Sequence, residues 1–117
     1  MLSNYIKTVV IWMTLLLSSQ SFAGSGGGFV EKIIVHTTTD GIGVVMFTSE
    51  SNANKAACST TNEGRDWAFS LATEQGKAMY ALLLSAQAQH KAINVLGKDL
   101  CVAWHDREEP NYIYIRQ

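Results

Sequence analysis

Between Glu74 and His90 the apolar residues of this 117-residue chain fall at helical spacing, with Met79, Leu82, Leu83 and Ala86 on one face and acidic Glu74 at the start. On both sides of that stretch the spacing is two. Phe29 to Thr37 is rich in Val and Ile, Asp40-Gly41 is a hairpin signal, Ile42, Val44 and Met46 share one side of the next segment, and Trp67, Phe69 and Leu71 alternate. After the helix, Ile93 and Val95 are expected to point inward before a turn at Gly97-Lys98-Asp99. Leu100, Val102 and Trp104 then alternate, and the last segment sets Ile113 and Ile115 against Tyr112 and Tyr114. A chain so arranged must pack one helix on a mainly β core.

The first strand alternates imperfectly, since Ile33, Ile34 and Val35 run together, a pattern that permits a bulge or burial on both faces. Ser49 to Arg65 is small and polar and reads as a long connection. The order predicts an α+β, mainly β fold: a small OB-like barrel of about five to six strands, with the helix between its third and fourth.

Residues 1–23 place the rest of the chain outside the cytoplasm. Met1 to Thr8 carries one Lys and no acid, Val9 to Leu17 is apolar apart from Thr14, and Ser21-Phe22-Ala23 offers small residues at a cleavage position. The apolar run is far short of the roughly 20 residues that cross a bilayer, so a removed secretory signal is expected and no membrane span in the mature form. The protein is then secreted or periplasmic. Residues 24–28, Gly24-Ser25-Gly26-Gly27-Gly28, read as a flexible mature N-terminus, and 29–117 as one OB-like binding domain.

The chain has two cysteines, Cys58 and Cys101, and in an oxidising compartment the simplest expectation is one disulfide between them. Nine Lys and Arg stand against ten Asp and Glu, and Lys7 leaves with the leader. The mature chain is slightly acidic. Nucleic-acid binding leans on phosphate neutralisation by Lys and Arg, so that class of partner is not expected.

Enzyme motifs are missing. There is no G-x-S-x-G elbow and no H-E-x-x-H helix, and Gly41-Ile42-Gly43 lacks the rest of a dinucleotide fingerprint, so neither catalysis nor a cofactor is expected. His36, His90 and His105 are scattered. They suit surface or helix-capping roles, His90 at a helix C-terminus, better than a metal site. Glu108 and Glu109, adjacent in a charged loop, read as solvated, and Trp67 and Trp104 fall in phase with the core.

Two surfaces invite partners. Tyr112, Tyr114 and Arg116 form an outer row on the last strand, suited either to ligand contact or to pairing across the sheet. Ala81, Leu84 and Ala88 form a small apolar stripe on the back of the helix, suited either to close approach of another helix or to burial under the Ser49 to Arg65 connection. These are the candidate ligand-binding residues and the candidate oligomer interface.

The leader, the hairpin, a Cys before the third strand, the run Gly76-Lys77-Ala78-Met79-Tyr80-Ala81-Leu82-Leu83-Leu84-Ser85-Ala86, and a Gly, then Cys101 in the following expected strand resemble the receptor-binding B subunits of subtilase cytotoxin and typhoid toxin. The resemblance covers most of the mature domain. It implies an OB-fold, a ring of five subunits with the helices lining the centre, a catalytic subunit as partner, and binding of sialylated glycans. Those subunits carry an aromatic-Ser-Asp stretch before the first strand, where this chain has Ser25-Gly26-Gly27-Gly28-Phe29, so no sugar-contacting residue carries over. The expected function is recognition of a glycan or glycoprotein as a non-catalytic, toxin B-subunit-like protein. The alternative is a monomeric periplasmic interaction or inhibitor protein.

Overall fold

In a computed structural model, residues 22–117 are described. The leader, apart from Phe22 and Ala23, lies outside them. The described chain forms seven strands and one long helix: β1 (Ser25–Gly28), β2 (Lys32–Thr37), β3 (Gly43–Thr48), β4 (Ser51–Ala53), a 3-10 turn (Asn62–Gly64), β5 (Asp66–Ser70), α1 (Glu74–Ala88), β6 (Ile93–Gly97) and β7 (Pro110–Ile115). The strands make two antiparallel sheets, β4-β1-β6-β7 and β2-β3-β5. Beyond these ladders, a single parallel bridge between Trp67 and Glu108 links β5 to the approach of β7. The ladders do not close, so the five- to six-stranded barrel expected from the sequence gives way to seven strands in two sheets.

The main core lies between the sheets and the helix. Val45, Phe47, Trp67 and Phe69 from one sheet meet Ile93, Val95 and Ile113 from the other and Met79, Leu83 and Ala86 from α1. A smaller cluster, Val44, Met46 and Ala68, occupies the opposite face of β3 and β5, covered by Ile34, Ala103 and Trp104. In the run Ile33-Ile34-Val35, Val35 is exposed, but Ile33 packs against the main core and Ile34 against the smaller cluster, so β2 is partly buried on both faces there. Its register with β3 is unbroken, without a bulge.

Helix α1 is bounded by local chemistry. Thr73 caps it, its hydroxyl oxygen accepting the Gly76 amide at 3.0 Å, and Glu74 lies in the first turn, where the helix dipole favours an acid. Its end comes two residues before His90, which takes a left-handed conformation (φ 53°) while the Lys91 amide reaches back to the Ala86 carbonyl at 2.9 Å. The His90 ring stacks on Phe29 at 4.5 Å.

Three segments differ from the sequence reading. The glycine run is no flexible tail: Ser25–Gly28 is β1, paired on one side with β4 and on the other with β6. β4 itself lies inside the Ser49 to Arg65 connection. Leu100 to Trp104 is not a strand: β6 pairs directly with β7, and this segment joins neither sheet. Asp99 turns the chain with φ 61°, and Leu100 and Val102 are exposed. This loop is instead stapled to the 54–61 loop by the Cys58–Cys101 disulfide, whose Cα atoms are 6.1 Å apart.

Candidate functional site

The outer face of the β4-β1-β6-β7 sheet holds a shallow polar cleft of about 230 Å³. Cross-strand pairing builds it in rows: Gly27 faces Ser51 on one side and Asn94 on the other, and Asn94 faces Tyr114; Ser25 faces Leu96, which faces Tyr112. Tyr112 and Tyr114 are 47% and 48% exposed and stack at 6.2 Å between ring centres. The sequence-derived row Tyr112, Tyr114 and Arg116 thus forms one wall, and it also pairs across the sheet with β6. Pairing with β6 leaves both rings about half exposed on the cleft side.

Asn94 organises the polar groups. Its side-chain oxygen accepts from Arg116 Nε at 2.6 Å, and its amide nitrogen donates to the Tyr114 hydroxyl. The Tyr114 oxygen, receiving that bond, can direct its own proton towards a ligand. The terminal nitrogens of Arg116 add a fixed positive charge with donors in a planar fork. On the floor, Ser51 Oγ donates to the Gly27 carbonyl at 3.3 Å.

The glycines make the cleft. A Cβ at Gly27 would run into the Arg116 guanidinium, and one at Gly26, on the opposite face, would lie 2.7 Å from the Trp67 ring. Side chains at these positions would fill the floor above and crowd the core below. Sequence reasoning found the walls and missed this floor; alternation is a side-chain signal, and glycine has no side chain to show it.

The other singled-out residues lie elsewhere. Ala81, Leu84 and Ala88 are exposed on the outer face of α1, and the Ser49 to Arg65 connection does not cover them. His36 packs against Trp104 with ring centres 4.9 Å apart, and His105 is exposed beside Asp106. Trp67 is fully buried and donates from Nε1 to Ser49 Oγ at 3.0 Å, whereas Trp104 is half-buried over the second cluster. Glu109 meets Lys98 at 3.9 Å, but Glu108, expected to be solvated, is fully buried. Among the described residues no three of His, Cys, Asp and Glu gather as a metal site, and no helix is long and apolar enough to cross a membrane.

Asp66, buried at the start of β5, is an acid whose surroundings act on its carboxyl in opposite directions. Burial raises its pKa and is the largest single effect, but hydrogen bonds from Thr48, Thr61 and Asn62 and the charge of Arg107 together outweigh it and hold the carboxyl below the usual aspartate value. Thr48 and Thr61 donate at 2.6 and 2.7 Å and Asn62 at 2.7 Å. This group braces the start of β5, away from the cleft.

No protein-family model, curated protein or solved structure matches this chain.

Proposed function

We propose that this protein is a secreted or periplasmic binding domain that recognises a glycan or glycoprotein, seating one sugar unit in the cleft between β1 and Tyr112, Tyr114 and Arg116. The observation that carries this reading is the glycine-floored cleft with an aromatic wall and a guanidinium. Its size falls below the roughly 300–1,000 Å³ of pockets that enclose a drug-sized ligand, so it suits one unit of a longer chain. Its exposed donors, the tyrosine hydroxyls and Arg116, suit oxygen-rich and acidic groups, and tyrosine rings offer an apolar face to a sugar ring. None of its lining side chains is a general base set beside a nucleophile, which favours binding over catalysis.

The likeness of the chain to the toxin B subunits supports the same reading, along with assembly of copies, five in a ring, through Ala81, Leu84 and Ala88, with a catalytic subunit as partner. The alternative, a monomer acting on a protein partner, draws on the exposed loop residues Leu100 and Val102, the latter 74% exposed. A glycan array with the mature protein tests the proposal. Tyr114→Ala is expected to weaken binding by about 1–2 kcal/mol, roughly fivefold to thirtyfold, while leaving the melting temperature nearly unchanged. A folded protein that binds no glycan, or binding indifferent to Tyr114→Ala, would sink it.

A further inference from the structure

Glu108 is fully buried and has no cationic partner among the described side chains. The ion pairs there join Arg65 to Glu31, Lys77 to Glu74, Lys98 to Glu109, and Arg107 to Asp106, beside which His105 also lies. Even the adjacent Arg107 is turned to another acid. Instead, both carboxylate oxygens of Glu108 accept from one backbone nitrogen, that of Gly24, at 3.0 and 3.1 Å, and Oε2 also accepts from the Asp99 amide at 2.9 Å. A buried carboxylate is normally neutralised by a cation.

The position of Gly24 supplies one. We propose that Glu108 is the internal counter-ion of the protein's own α-ammonium group, created at Gly24 when the leader is removed. The inference rests on residues 1–23 being a cleaved signal and is independent of what the cleft binds. Cleavage by a signal peptidase consumes one water: the Ala23–Gly24 amide bond breaks, the hydroxyl adds to the Ala23 carbonyl carbon, the other water hydrogen goes to the Gly24 nitrogen, and the proton of the new acid then passes to that amine. The leader departs with a carboxylate. Gly24 keeps an ammonium with three donors, and two of them meet the two oxygens already aimed at its nitrogen.

The surroundings hold that nitrogen in place. The Gly24 carbonyl accepts from the Gly97 amide at 2.9 Å, and the Ser25 amide donates to Asn52 Oδ1 at 3.0 Å. A Cβ at Gly24 would lie 2.5 Å from Glu108 Oε1, and one at Gly97 would overlap Oε2, so the carboxylate occupies the space between two glycines. The cradle ends at Gly24: Ala23 is half-buried and Phe22 exposed.

Intact mass and N-terminal sequencing of the exported protein should give a chain beginning at Gly24; any other start overturns the proposal. Chains beginning at Gly24 and at Ala23, released by site-specific proteolysis of a fusion, then separate charge from length. The folded Gly24 form should react with an amine-acylating reagent about tenfold or more slowly than the Ala23 form, as expected when an ion pair favours the protonated amine. It should also unfold at higher denaturant, and Glu108→Gln should abolish that difference. Equal acylation rates for the two native-sequence chains refute the ion pair even where Glu108→Gln does not fold, and an advantage that survives Glu108→Gln refutes it equally.

Discussion

Two buried acids, Asp66 and Glu108, carry polar order into a largely apolar interior, and they do so by different means. Asp66 gathers side-chain donors from β3 and from the turn before β5, so its carboxylate is the preferred form. Its folded-state pKa lies below the unfolded value of about 3.9, so its contribution to stability is full above that value and is lost as the pH falls through the folded one. Asp66→Asn is expected to destabilise by about 1–3 kcal/mol at neutral pH and to flatten the fall in stability on acidification, as measured by urea unfolding between neutral and acid pH. A wild-type-like acid limb in the variant would assign acid sensitivity to other groups. Neither acid was legible in the sequence, because burial of a charge depends on donors brought from distant segments. Tyr112 and Tyr114 were legible, since alternation against Ile113 and Ile115 fixes the face of a strand directly.

At the scale of elements, β3, β5, α1, β6 and β7 lie where alternation or helical spacing put them, and β2 lies where the Val- and Ile-rich, imperfectly alternating run from Phe29 to Thr37 put it. The exceptions share a cause. β1 has no alternating side chains, and its strand character comes from its neighbours β4 and β6; Leu100 to Trp104 has the alternation but pairs with neither sheet, since β6 takes β7 as its partner. Pattern specifies a strand only where a partner exists. β1 also makes a separable test of the cleft: Gly27→Ala puts a methyl group against the mobile end of Arg116 rather than against the core. Stability should change by no more than about 1 kcal/mol, while binding of the array-selected glycan should fall. Unchanged affinity in titration calorimetry would move the ligand away from β1.

At the scale of the molecule, two loops without regular structure are held by one covalent link, and in the chain-entropy account a closure spanning 43 residues contributes roughly 4 kcal/mol. Such a linkage is typical of proteins made for oxidising surroundings. The proposed assembly is decided on the whole protein by light scattering. An oligomer is expected at tens of micromolar, dispersed by Leu84→Glu, which on an exposed helix face should alter the stability of a single subunit by only about 0.5 kcal/mol. A monomer unaffected by the substitution would favour the protein-partner alternative. The topology bears on how the fold is reached. β1 comes first in the chain, yet it lies between β4 and β6, so its second ladder must wait until Ile93–Gly97 has been made. Such distant pairing is slow, and an unpaired strand edge ordinarily recruits other chains during the delay. Segments that stack into stable zippers are poor in glycine and rich in interlocking side chains, and Ser25-Gly26-Gly27-Gly28 offers almost none. The bareness that hollows the cleft in the finished protein leaves the waiting strand with little by which a neighbour could hold it.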